Sequence, residues 1–375
     1  MTQYDVAVCG LGVMGCAALY HLARRGKRVL GIDRFAPGHD RGSSHGETRI
    51  IRLAYFEHPS YVPLVRRAYE LWRKLEVEAA RPLLHVTGIA EIGPPDGALV
   101  TGTLDAARLH DIPHDVLAAP ELMRRYPAFH LPPHFVGVVQ PDGGFLEAEA
   151  SVHALLALAT KHGAEIRIGE TIRAIEPTND GARVATDSAT IEAGSAIVAA
   201  GPWTPSLLPR AALPLRVTRE VLGWFAPKDP ALFAPGRFPV FLIESVHGTH
   251  YGFPPHGAGI KVAKHHHRAE AVDPDLYDRS VSANDEALIR AAVAEHLPGA
   301  NGPLVAAKTC LYTVAPDGDF IVDRLPGAQS IVVASPCSGH GFKFAPVIGE
   351  ILADIATGRS TRHDISRFRI GRFGE

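Results

Sequence analysis

The chain has 375 residues, 46% of them hydrophobic and 21% charged, and 38 Lys and Arg against 40 Asp and Glu give a formal charge of −2. That length predicts about two domains, and the composition excludes a short peptide scaffold, a disordered chain and a helix-spanned membrane protein, for which about 18 consecutive apolar residues are needed. Twenty histidines would carry the charge to +18 if protonated, so net charge says little about partners; neither sign forms a block of the kind that binds nucleic acid or a membrane surface.

Four cysteines, Cys9, Cys16, Cys310 and Cys337, are too sparse for a disulfide framework and lack zinc-ribbon spacing, which points to a reducing compartment and no metal centre. The start Met-Thr-Gln runs straight into an apolar strand, without the regions of an export leader, and Arg-Phe-Gly-Glu at the end is not a peroxisomal signal. The expected location is the cytoplasm.

Tyr4 to Cys9 reads as a strand, Gly10-Leu11-Gly12-Val13-Met14-Gly15 as a tight turn, and the alanine- and leucine-bearing stretch to Arg25 as a helix. Gly26 closes the helix, Arg28 to Ile32 forms a second strand, and Asp33 ends it, 18 residues after Gly15. This is a βαβ dinucleotide-binding unit. Gly10 permits the turn, Gly12 admits a pyrophosphate, Gly15 lets helix and strand pack, and Asp33 would hold the adenosine ribose. The fingerprint alone does not separate NAD from FAD.

Residues 41–52, polar and glycine-bearing, read as a loop wrapped around a cofactor rather than as a further βα unit. Ser60 is placed to cap a helix with Pro63 in its first turn, whose apolar face carries Leu64, Ala68, Leu71, Leu75 and a core Trp72. Between 86 and 149 dense Pro and Gly alternate with strand pieces such as Val86 to Ile92, as in a separate sheet domain. Ser151 to His162 reads as a helix, and Glu165–Ile168, Ile172–Glu176, Ala182–Thr186 and Ala196–Ala199 as strands returning to the first sheet. Residues 217–318 are again sheet-rich, and a final strand, glycine loop and helix (Phe344 to Thr357) close the chain. His265, His266 and His267 read as solvated loop residues, since three adjacent side chains seldom face one ion. By composition alone Cys310 reads as a buried, inert thiol.

Taken together, Gly10 to Gly15, Gly42-Ser43-Ser44-His45-Gly46-Glu47-Thr48-Arg49-Ile50-Ile51-Arg52, Tyr251-Gly252-Phe253-Pro254, Lys261, Cys310-Leu311-Tyr312-Thr313 and Ser338-Gly339-His340-Gly341-Phe342-Lys343 span nearly the whole chain in order. On these motifs the chain resembles the monomeric sarcosine oxidase and N-methyltryptophan oxidase group of FAD-dependent amine oxidases. The resemblance implies a mixed α/β and α+β fold. An FAD-binding Rossmann-like domain (1–85, 150–216 and 319–375) is interleaved with a sheet-rich substrate domain (86–149 and 217–318). It implies FAD bound covalently through Cys310, with Gly10, Gly12, Gly15, Asp33, Ser43, Ser44, Arg49, Gly339, Gly341 and Lys343 in the cofactor shell.

Arg52 and Lys343 match the clamp on a substrate carboxylate. Arg49 and His45 match residues lying against the flavin, where positive charge favours its anionic reduced form; Lys261 matches a lysine that assists oxygen reduction, and His265 an active-site histidine. His250 stands where relatives carry a tyrosine over the substrate, Lys264 replaces another aromatic, and Pro336-Cys337 alters the approach to the last loop. The implied activity is oxidation of a secondary or N-substituted amino acid by oxygen, releasing hydrogen peroxide, in a monomer without nucleic-acid or membrane partners. The alternatives are a dehydrogenase of the same fold that passes electrons to a carrier, and a flavin-containing binding subunit without turnover.

Overall fold

The computed structural model describes residues 3–374. Tyr4–Cys9, the helix Val13–Arg24 and Val29–Asp33 form the expected βαβ unit, its two strands parallel from Val6↔Val29 to Cys9↔Ile32. They lie in an eight-stranded sheet whose main order is Ile172–Thr178, Gly181–Thr186, Thr190–Val198, Tyr4–Cys9, Val29–Asp33, Glu165–Ile168. The C-terminal half of Thr190–Val198 also pairs with Ala328–Ser335, which carries Ile321–Leu325. The Val13–Arg24 helix packs on Ala148–Lys161 and Ala345–Ala356, burying the side chains of its own core face.

A second eight-stranded sheet runs Leu304–Val314, Arg216–Phe225, Ile260–Lys264, Gly248–Gly252, Val240–Ser245, Ile89–Gly93, Val136–Gln140, Asp115–Ala118. It is mostly antiparallel, with the parallel pair Val240–Ser245 and Ile89–Gly93 at its centre. The smaller sheet Thr48–Ile51, Gly144–Glu147, Leu84–Val86 draws strands from both sides of the boundary expected at residue 85. Among the described residues no helix is long and apolar enough to cross a membrane.

Several elements differ from the sequence expectation. Residues 48–51 of the expected cofactor loop are a strand, because Thr48-Arg49-Ile50-Ile51 pairs with Gly144–Glu147. Val86 to Ile92 is not one strand: Gly88, at φ +73°, turns the chain from the small sheet into the large one. Helix Val62–Ala79 begins after a 3₁₀ turn that is capped by His58, whose Nδ1 accepts from the Ser60 N–H, so Ser60 is not the cap. The final strand is a hairpin turning at Gly327. Within the sheet-rich stretch lies a helix, Ala283–His296, opened by a Ser282/Asp285 capping box.

Candidate active site

One cavity of about 420 Å³ runs from the glycine turn to the last glycine loop. At its first end Gly10 (φ +97°) lies against the Ala199 carbonyl, where a Cβ would stand 2.6 Å from the oxygen, and a Cβ on Gly15 would stand 1.8 Å from the Gly10 oxygen. Gly15 is therefore beneath the turn, while Gly10 and Gly12 line the cavity. A Cβ on Gly12 would meet only Ser44 Oγ, at 3.3 Å, and that hydroxyl accepts from the Val13 N–H. Asp33 lines the same end; its two carboxylate oxygens accept from the Leu11 and Phe35 N–H groups at 2.7 and 2.8 Å, which fixes the turn and leaves lone pairs for a ligand.

Midway, Arg49 and Cys310 meet. Arg49 donates to the Thr48 and Ser43 carbonyls at 2.8 and 2.9 Å and stands 3.7 Å from the Cys310 sulfur. Ser43 lines the wall beside them and its hydroxyl donates to the Leu311 carbonyl. Burial raises the Cys310 thiol pKa, and the guanidinium works against that rise.

At the far end, Arg52 donates through Nη1 to the Ala54 carbonyl at 2.8 Å and through Nη2 to Glu57, and its guanidinium carbon lies over Tyr55, 4.2 Å from the ring centroid. Lys343 donates to the His340 carbonyl at 2.7 Å and to Tyr55 Oη at 3.2 Å. The core residue Trp72 reaches this loop too, donating Nε1–H to the Lys343 carbonyl at 2.8 Å. Gly339 (φ +82°) packs so closely that a Cβ would stand 2.6 Å from the Tyr312 ring and 2.8 Å from His265; on Gly341 it would stand 1.6 Å from the Pro336 oxygen.

A family model described as FAD dependent oxidoreductase matches residues 5–355. The chain belongs to that family. The oxidoreductase is 39% identical over 371 residues to monomeric sarcosine oxidase of Streptomyces avermitilis, covering 97% of this chain and 96% of the relative. It is 36% identical over 376 residues to N-methyl-L-tryptophan oxidase of Salmonella heidelberg, over the full length of both. Among solved structures it superposes on NikD, an unusual amino acid oxidase essential for nikkomycin biosynthesis, with a TM-score of 0.86 at 28% identity, covering 98% of each chain.

FAD fits the residues present: Gly12 leaves an open backbone face at the cavity, Asp33 offers acceptors at the same end, and Arg49 supplies a cation midway. Of the residues expected at the site, Arg52, His265, Gly339, Gly341 and Lys343 line the far half of the cavity. His45, Lys261 and His250 do not. His45 is buried beside the wall with both ring nitrogens unpartnered, and burial together with Arg49 lowers its pKa to about 3. It is neutral, so the positive charge expected of the His45–Arg49 pair is carried by Arg49.

Lys261 sits behind Phe253, its nitrogen 4.5 Å from that ring's centroid, and donates to the Gly46 and Thr48 carbonyls at 2.7 Å each and to the Thr48 hydroxyl at 3.1 Å. Burial, then Arg49, push its pKa well below the usual lysine value.

His250 corrects the expectation of a substrate-facing residue. It is turned away from the cavity, with Nε2 3.1 Å from the Leu288 carbonyl of the helix Ala283–His296. Side chains alternate along Gly248–Gly252, so Tyr251 takes the cavity face that His250 lacks. The histidine run is not uniformly solvated either: His265 lines the cavity, His266 is exposed, and His267 is buried against Asp285 with its Nε2 at 3.1 Å.

Residues the sequence reading left without a role complete the pocket. Glu57 lines it; burial works to raise its carboxyl, yet Arg52, with smaller help from His340 and Lys343, holds it down to about 2. Burial and Arg52 lower Lys343 to about 7, and burial lowers His265 to about 3 and His340 to about 4. Tyr251, Phe253 and Tyr312, aromatic residues inside the quoted motifs, were the available signal for the apolar wall. For Glu57 the signal was an acidic residue five positions after Arg52.

Proposed function

We propose that this oxidoreductase oxidises a secondary or N-substituted, sarcosine-like amino acid at the carbon beside nitrogen, giving an imine that water hydrolyses, with oxygen reduced to hydrogen peroxide. The observation that carries the reading is the convergence, in the cavity that begins at the glycine turn, of two buried cations, Arg52 and Lys343, with an apolar wall of Tyr251, Phe253 and Phe342. The names of the two relatives, an oxidase of sarcosine and one of N-methyl-L-tryptophan, support it.

FAD, when bound, supplies the two-electron acceptor. Arg52 presents a planar fork that matches a carboxylate, and Lys343 adds a point charge beside it. Arg52 Nη2 donates to Glu57, which lines the cavity, so a substrate carboxylate at this edge competes with that carboxylate for the fork. The apolar wall receives the amine substituent and keeps water from the reacting carbon. Arg49 favours negative charge midway along the cavity, and Lys261 assists oxygen reduction from behind Phe253. Cys310, its sulfur beside Arg49, is the covalent anchor of the cofactor.

In this reading residues 1–85, 150–216 and 319–375 form the FAD-binding domain, which also supplies the clamp residues Arg52 and Lys343, and 86–149 and 217–318 form the substrate domain, which supplies the anchor Cys310. The protein works as a single subunit in the cytoplasm, in keeping with four unpaired cysteines.

Anaerobic titration with a panel of N-methyl amino acids tests the activity. The expected result is bleaching of the flavin bands by at least one of them, and stoichiometric peroxide when oxygen is admitted. Reduction followed by reoxidation only through a dye favours the dehydrogenase, and a flavin that no amine reduces overturns the reading. Acid precipitation tests the anchor: colour should stay with the pellet and move to the supernatant in Cys310→Ser.

A further inference from the structure

Glu91 is a fully buried carboxylate in the strand Ile89–Gly93, behind the wall that Arg52 lines. Its neighbours Ala90 and Ile92 point into the opposite core, while Ile89, on the face of Glu91, packs with Leu242 and Phe253. An apolar side chain would suit such a position, and an isolated carboxylate there is costly unless paired. Glu91 has a partner set that closes on itself. Arg52 Nη1 donates to the Ala54 carbonyl at 2.8 Å, and the Ala54 N–H donates to Gln140 Oε1 at 2.8 Å. Gln140 Nε2 donates to Glu91 Oε2, and Glu91 Oε1, which accepts no hydrogen bond, stands 3.5 Å from Arg52 Nε.

We propose that Glu91 is a positioning residue for Arg52, holding the inner edge of the guanidinium through the ring Glu91–Gln140–Ala54–Arg52 so that its outer edge stays aimed at a substrate carboxylate. The inference rests on the carboxylate clamp of the proposed function. Two carboxylates face one guanidinium, and they differ in place: Glu57 accepts a hydrogen bond from it and lines the cavity, where a ligand carboxylate can compete, whereas Glu91, 3.5 Å from Nε, lies behind the wall and out of a ligand's reach. When Glu57 lets go, Glu91 and the Ala54 carbonyl are what remain to keep the fork in plane.

The groups facing Glu91 are Arg52, which favours its charge, Glu57, which opposes it, the Thr103 hydroxyl and the Gln140 amide. Burial, only partly offset by Arg52, raises its carboxyl to about 7, so Glu91 carries its charge above that pH and would lose more of it without Arg52.

The test uses the flavin-loaded enzyme, the best N-methyl amino acid of the panel above, and the carboxamide of that same compound. Glu91→Val should raise KM for the acid about tenfold and leave kcat within about twofold, because a misplaced fork costs binding of the group it holds. KM for the carboxamide and the flavin content should not move. Gln140→Leu opens the same ring at another joint and should give the same shift, and the double variant should be no worse than either single one.

Parallel shifts for acid and carboxamide, a silent Gln140→Leu, or additive effects overturn the proposal. Should Glu91→Val fail to fold, Gln140→Leu and Glu91→Gln carry the same comparison. If the wild-type enzyme does not distinguish acid from carboxamide, the clamp itself is wrong and the positioning role falls with it, an outcome separate from failure of the variants alone.

Discussion

The two ends of the cavity are built on different plans. The glycine end is built mainly on one contiguous stretch, Tyr4 to Asp33, closed by Ser44 and the Ala199 carbonyl, and its fit is set largely by backbone: the turn at Gly10, the packing at Gly15 and the Asp33 carboxylate tying down two N–H groups. The far end is assembled from segments far apart in the chain: Arg52 and Glu57 on one loop, Tyr251 and Tyr312 on two strands, His265 just past a third, and Lys343 on the last glycine loop. Backbone-built sites tolerate no added atom, whereas side-chain-built sites tolerate change of substituent and charge. Holding the cofactor can therefore stay fixed while the pocket for the amine varies.

The sharpest break of that contrast is at the glycines. Gly15→Val would drive a branched side chain into the Gly10 carbonyl, which already lies 1.8 Å from an ideal Cβ. The helix and strand cannot part without opening the sheet, so the purified variant should carry no flavin, read from its visible spectrum. A variant with full flavin content would show that the turn is not what holds the cofactor end.

Next in size is Lys261→Met. The oxidation of amine needs nothing from this residue in the proposed roles, while oxygen reduction does. Anaerobic flavin reduction should stay near the wild-type rate, and reoxidation by oxygen should fall about 10²–10³-fold, the size of effect seen when one preorganised charge donor is removed. Equal losses in both half-reactions would move Lys261 from oxygen chemistry to plain support of the Gly46–Thr48 turn.

Lys343 gives a smaller, pH-dependent effect. Its folded pKa of about 7 lies below the usual lysine value, so the ammonium is present below pH 7 and is lost as pH rises through that value. For a carboxylate substrate kcat/KM should therefore be flat on the acid side and fall above about pH 7, since kcat/KM reports the free enzyme's ionisations. Lys343→Arg should remove the fall, because a guanidinium stays charged across that range. Persistence of the same profile in Lys343→Arg would assign the ionisation to another group.

How much of this was legible in sequence follows the same division. The glycine turn, Asp33 and the strands that flank them could be read locally, because a βαβ unit writes its periodicity and its turn into consecutive residues. The strand at Thr48–Ile51 could not, since its identity depends on Gly144–Glu147, about a hundred residues away. The capping box at Ser282 and Asp285 was readable, with the Ala- and Glu-rich run to His296 behind it, but on composition the helix merges into the sheet-rich stretch that surrounds it. Glu57, five positions after Arg52, lay within reach of a local reading, but Glu91 carries no motif and only the fold brings it to Arg52.

The smallest effect separates neighbouring residues on one strand. Matching the chain to its relatives by residue type put His250 over the substrate, but a register slip of one residue turns every side chain to the opposite face of a strand. The alternation along Gly248–Gly252 gives that face to Tyr251. His250 is buried, with its pKa lowered by burial to about 4, and its neutral ring lies 3.1 Å from the Leu288 carbonyl. His250→Leu should thus cost about 1 kcal/mol of stability for the lost hydrogen bond, seen as a lower Tm, and leave KM unchanged. Tyr251→Leu should do the reverse, shifting KM severalfold with N-substituent size while moving Tm less. If His250→Leu changes KM and Tyr251→Leu does not, the register of this strand against Ile260–Lys264 is wrong, and with it the side of the sheet on which the amine is expected to bind.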